Sequence, residues 1–154
     1  MQKKSISRIS MVATPVMIVC GLMASSSPAT AQSEDGACSN RTLKGDYGFK
    51  IDGQLLAGPL TGLVRGLAMT SFDGQGNMSQ VDFVTLNGAP LFKDWRPSGK
   101  GTYKINANCT GMATIIYTDG SPSTELRLVV VRNGKEIHTV VVGNAVGSIG
   151  IKVD

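Results

Sequence analysis

The stretch T-S-F-D-G-Q-G-N-M-S, Thr70 to Ser79, is an apolar run, a glycine-rich reversal and the start of a second run. Gly74 and Gly76 admit positive φ, and Asp73 and Asn77 can bond back to the turn backbone, so the segment reads as a hairpin turn. If Phe72 faces Met78 across it, Leu63, Arg65, Leu67, Met69, Val81, Phe83 and Thr85 share one face. Gly66, Ala68, Thr70, Gln80, Asp82 and Val84 share the other. Asn133-Gly134 is a stronger hairpin signal still, because a two-residue type I′ turn wants positive φ at both positions. Its register sets Val131 opposite Glu136, Val129 opposite His138 and Leu128 opposite Thr139.

Working outward from these two turns, the chain breaks into about eight short strands. Tyr47, Phe49 and Ile51 alternate with smaller or polar residues in the first, a period of two that puts the aromatic residues on one face. Further strands are expected at about 63–72, 78–86, 102–106, 111–117, 125–132, 135–142 and 148–153. Positions 87–101 are expected to form the longest irregular connection, holding Trp95 beside Arg96 and Pro97. Strands without protected edges close most economically into a single antiparallel up-and-down barrel; a two-sheet β-sandwich is the alternative.

Residues 1–31 are read as a secretory signal peptide. Lys3, Lys4 and Arg8 open it, an apolar stretch from Met11 to Met23 follows, and Ala29-Thr30-Ala31 is a small-x-small cleavage site. The apolar stretch is short for a membrane span and contains Pro15, so no stable span is expected. Val19 before Cys20 does not suit a lipid-anchor site. Positions 32–37 are a polar tether, and 38–154 form one domain, which is expected to be secreted or periplasmic. The leader holds three of the chain's 15 cations and none of its 11 acids, which turns a net +4 into about +1 for the remainder. The remaining cations are scattered, without interleaved aromatics, and this argues against a nucleic-acid partner.

Cys38 and Cys109 are the two cysteines left after the leader, and an exported chain most simply pairs them. A bridge across that loop is worth about 4 kcal/mol on the loop-entropy argument. With a single histidine in the chain, a metal pair is the poorer reading, and no motif calls for a cofactor.

Four blocks also carry a resemblance: C-S-N-R-T-L-K-G-D-Y-G-F from Cys38, F-D-G-Q-G-N from Phe72, G-T-Y-K-I-N-A-N-C-T-G from Gly101, and N-G-K-E-I from Asn133. Together they resemble small secreted bacterial proteins of uncharacterised function, across essentially all of the chain after the leader. The resemblance implies a small β-barrel similar to those of allene oxide cyclase and the lipocalins. It carries over no catalytic residue, since no cyclase active-site motif is present.

Other motifs reduce to turn chemistry. Asn40, Asn77 and Asn108 open Asn-x-Ser/Thr sequons but sit in turns. Asp73 to Asn77 lacks the further carboxylates of a calcium loop. Glu136 and His138 are read as a solvent-facing polar row. Arg65 and Asp82 are more informative, because each interrupts an uncharged face of the hairpin and the two faces are opposite. An inward Asp82 would be a candidate general acid or base. An inward Arg65 would suit the anionic head group of an apolar ligand. The valines at 129, 131, 140 and 142 on the outer face of the last hairpin point to a homo-oligomer.

The leading expectation is a barrel that holds a small, mostly apolar molecule in its lumen, with Tyr47, Phe49, Trp95 and Tyr103 as wall or lid residues. The alternatives are a cofactor-free isomerase or cyclase, with Asp82 or Arg65 managing charge, and a non-catalytic surface or matrix protein with a filled barrel. A lumen of roughly 300 Å³ or more separates the first two from the third.

Overall fold

A computed structural model describes residues 37–154, apart from positions 57 and 59 and the side chains at 98 and 99. The expected leader and all but the last residue of the tether lie outside the described residues. Nine strands follow in order: β1 (Lys44–Leu55), β2 (Gly62–Asp73), β3 (Asn77–Leu86), β4 (Ala89–Pro90), β5 (Arg96–Ile105), β6 (Thr110–Ile115), β7 (Thr124–Val131), β8 (Glu136–Val141) and β9 (Ala145–Lys152). Single 3₁₀ turns occur at Asn40–Thr42 and Arg132–Gly134.

Eight strands close into a ring. β2 pairs with both β1 and β3, and the remaining neighbours run β1, β9, β8, β7, β6, β5, β3, all antiparallel. β4 is a two-residue spur paired with β3 outside that ring. Closure leaves no long edge unpaired, which is what many short alternating strands require. The architecture is therefore the barrel and not the sandwich.

Alternation decides the two faces. Tyr47, Phe49, Ala68, Phe72, Met78, Tyr103, Ile105, Ala113, Ile115, Leu128, Val130 and Ile137 are buried inside the ring and form one continuous core. Both hairpin registers hold: Phe72 pairs with Met78, and Leu128, Val129 and Val131 pair with Thr139, His138 and Glu136. Asn133 and Gly134 take φ of 55° and 82°, and Arg132 joins them at 54°.

One expectation needs correction. Positions 87–101 are not a single long loop, because β5 begins at Arg96 and pairs Arg96 with Asp82 and Pro97 with Val81. The register between β3 and β5 shifts between Ser79 and Val81. A bulge tolerates proline inside a strand, so Pro97-Ser98-Gly99 reads as a loop in sequence and yet lies in β5.

One end of the barrel is plugged. The 3₁₀ turn at Asn40–Thr42 lies across it, and Cys38 is disulfide-bonded to Cys109, with Cα atoms 4.9 Å apart. Asn40 accepts from the Ile105 amide at 2.8 Å through Oδ1 and donates to the Gln75 carbonyl at 3.3 Å. The Tyr103 hydroxyl bonds to the carbonyls of Leu43 and Asn40 at 2.9 and 3.0 Å. Phe72 stands edge-on between Tyr47 and Tyr103, at centroid distances of 5.3 and 5.0 Å, a favoured arrangement of aromatic rings. Tyr47 donates its hydroxyl to the carbonyl of Gly134. Burial, with Tyr103 beside it, pushes the Tyr47 phenol above its ordinary pKa, and burial does the same to Tyr103.

Candidate functional site

Above the plug the barrel holds a partly open cavity of about 330 Å³, lined by residues from all eight ring strands. That volume lies at the small end of ligand pockets. Its wall is mainly apolar, with Phe49, Ile51, Val64, Ile115, Leu128 and Val146 among the contributors. Gly150 makes the seat for Phe49: a Cβ there would stand 2.4 Å from the phenyl ring. At the end opposite the plug, Leu60, Leu91, Phe92, Pro122 and Asn144 line the cavity from the loops.

The face carrying Ala68, Thr70, Gln80 and Asp82 points inward. Asp82 is only 1% exposed, and the residue paired with it on β2, Ala68, is small. Asp82 belongs to a chain of bonded groups. Thr70 Oγ1 donates to Gln80 Oε1 at 2.9 Å, and Gln80 Nε2 donates to Asp82 Oδ2 at 3.1 Å. Arg96 grips the carboxylate in the two-pronged manner that suits a guanidinium: Nε reaches Oδ1 and Nη2 reaches Oδ2, each at 3.1 Å.

Arg96 is the residue that sequence reasoning passed over. Its side chain is 13% exposed, its Nη1 lies 3.6 Å from Asp119 Oδ2, and its guanidinium sits 3.8 Å from the Tyr117 ring centroid and 4.5 Å from that of Phe92. Such contacts stabilise a cation shielded from water. Burial works against its charge, but the bonds and charge of Asp82 outweigh it and hold the guanidinium above its ordinary pKa. The signal that could have found it is the facing requirement: an inward carboxylate on β3 needs a cation from the adjoining strand.

Across the lumen, Thr139 Oγ1 and Ser148 Oγ lie 2.7 Å apart on β8 and β9 and bond to one another. Both line the cavity.

Of the residues singled out in sequence, Phe49 and Asp82 line this cavity. Tyr47 and Tyr103 are buried in the plug beneath it. Trp95 lies elsewhere: it is 49% exposed and packs on Phe83, 6.0 Å between ring centroids. Phe83 belongs to the outward face of β3, opposite in pleat to Asp82, so Trp95 reaches the outer wall. Arg65 is also outside, with a side chain 61% exposed and its Nε 3.2 Å from Asp52 Oδ1. The two therefore do not meet Asp82.

Glu136 and His138 stand on the outer wall, 2.7 Å apart, with Arg132 Nη1 3.0 Å from the same carboxylate. Bonds from His138 and then Arg132 hold the Glu136 carboxyl below its ordinary range. Among the described residues no group of three or more metal-ligating side chains is assembled, and no helix is long and apolar enough to cross a membrane. Two of the sequon asparagines are used within their own turns, where Asn77 Nδ2 donates to Asp73 at 2.6 Å and Asn108 Oδ1 accepts from the Thr110 hydroxyl at 2.7 Å, while Asn40 reaches out to Ile105 and Gln75. No protein-family model matches the chain, and no curated protein is significantly similar to it.

Proposed function

We propose that the barrel binds one small, mostly apolar molecule in its lumen and does so outside the cytoplasm. The observation that carries this is the 330 Å³ cavity within the ring, whose wall is mainly apolar. At about 30 Å³ for each water-sized atom, the volume suits a ligand of roughly a dozen non-hydrogen atoms. The leader read at residues 1–31, the Cys38–Cys109 bridge and the resemblance to secreted bacterial barrels support an exported carrier or receptor of that kind. Phe49 is a wall residue in this reading, while Tyr47 and Tyr103 support the floor.

An isomerase or cyclase function, as in the allene oxide cyclase barrels, draws less support from the site. A general base needs a lone pair aimed at substrate, and both oxygens of Asp82 already accept from Arg96, with Gln80 as a third donor. The exposed face of the last three strands, where Ile149 and Ile151 extend Val129 and Val140, supports self-association. A one-chain mass at every concentration in light scattering would count against it.

Native mass spectrometry of the protein purified from its exporting host tests the ligand. A mass increment lost on collisional activation is expected. An empty barrel that also takes up no added apolar compound would remove the proposal.

A further inference from the structure

Besides the Tyr117–Thr124 hydroxyl contact and the loop residues Ser121 and Asn144, two polar patches line the lumen, and they differ in what they have left to offer. On the β2–β3–β5 wall, Thr70, Gln80, Asp82 and Arg96 are bonded to one another in sequence. Among the described residues the one cation lining the cavity, Arg96, is held at both carboxylate oxygens of Asp82 and faces Asp119 at 3.6 Å. A ligand carboxylate would have to displace Asp82 from Arg96, or stand beside two carboxylates that share one guanidinium. A ligand ammonium would leave water for a wall whose nearest carboxylate is already paired. Both lose desolvation energy without a new partner.

The β8–β9 wall is different. Two hydroxyls carry two hydrogens, and the bond between Thr139 and Ser148 uses one of them; the other hydrogen and several lone pairs remain. The strand register flanks the pair with apolar lining residues: Leu128 opposite Thr139, Ile51 opposite Ser148, Ile137 and Val141 on either side along β8, and Val146 along β9. The two hydroxyls satisfy one another, and a ligand group that takes up the remaining hydrogen adds a bond in apolar surroundings.

We propose that the lumen selects an uncharged molecule, an apolar chain or ring bearing a hydroxyl or carbonyl, and that this group is held by the Thr139–Ser148 hydroxyl pair. The inference rests on the lumen-binding reading above and specifies its ligand class. A hydroxyl ligand can both donate to and accept from the pair, and a carbonyl can accept the remaining hydrogen.

The test is displacement of the small neutral fluorophore naphthalene at pH 7 by four ten-carbon probes: decan-1-ol, 1-chlorodecane, decanoate and decylammonium. Decan-1-ol is expected to bind best, with both ions at least about ten-fold weaker. Thr139→Val/Ser148→Ala is expected to weaken decan-1-ol by up to about ten-fold, as for one neutral hydrogen bond, and to leave 1-chlorodecane unchanged. Ser148→Ala alone, with its melting temperature checked, serves if the double variant folds poorly. Decanoate or decylammonium binding as tightly as decan-1-ol overturns the ligand class while lumen binding stands. Decan-1-ol binding equally to parent and variant overturns the anchor. Failure of the fluorophore and all four probes to bind overturns the lumen reading itself, and the inference with it.

Discussion

At the scale of single residues the molecule turns on Asp82 and Arg96. Asp82 is nearly inaccessible and Arg96 is mostly buried, so each depends on the other for charge compensation. Breaking a buried ion pair from one side leaves an unpaired charge and costs about 3–5 kcal/mol, whereas replacing both partners by apolar residues of similar size is often neutral. Asp82→Asn is therefore expected to lose about 3–5 kcal/mol in urea unfolding. Asp82→Leu/Arg96→Met is expected to stay within about 1 kcal/mol of the parent or above it. Equal losses in the two variants would mean that the pair does not act as a unit. The opposition of Arg65 and Asp82 was legible from the turn between Phe72 and Met78, since the pleat alone separates them. Which one faces inward was not, because both faces mix apolar and polar residues. The inward side is set by neighbours from distant strands, Phe49 and Arg96 among them.

At the scale of elements, turns did most to make the fold readable. Asp73 Oδ1 accepts from the amides of Gln75, Gly76 and Asn77 at 2.6, 3.0 and 3.0 Å, and Oδ2 accepts from the Asn77 side chain. The Asn77 side chain, followed by those amides, lowers the Asp73 pKa to about 2. A carboxyl depressed in the folded state stabilises the fold above its unfolded value of 3.8, and that contribution disappears as pH falls toward 2. The melting-temperature advantage of the parent over Asp73→Asn is thus expected to be full at pH 6 and to shrink between pH 4 and pH 2. An advantage that does not vary with pH would show that the carboxylate charge does not hold this turn. The β5 boundary was the element least legible in sequence. Pro97 and Gly99 are turn residues in most settings, and only the β3 partner and the shifted register between them make strand of that segment. The plug was half legible: the cysteine pair pointed to a tie between the chain start and the β5–β6 turn, but nothing in Ser39–Leu43 announced that it would seal the barrel.

At the scale of the whole molecule, eight strands make a ring whose interior can hold side chains and little more, or one small ligand. Here the plug fills one end with aromatic rings, and small residues at 68, 113 and 147 line the space above it. Closure and strand count followed from the sequence, because repeated hairpins with unprotected edges have few alternatives. The existence of a lumen did not follow, since volume depends on how side chains from opposite walls meet. Ala68 is buried in the cavity wall, opposite Phe49 on one side and Asp82 on the other, so Ala68→Phe would fill the lumen from β2 at a cost of about 1–3 kcal/mol. Isothermal titration of decan-1-ol into the parent and into Ala68→Phe, both confirmed folded by circular dichroism, tests lumen binding most directly. One-to-one binding by the parent, weakened at least about ten-fold in the filled barrel, is the predicted result; equal binding by both proteins, or none by the parent, would contradict it.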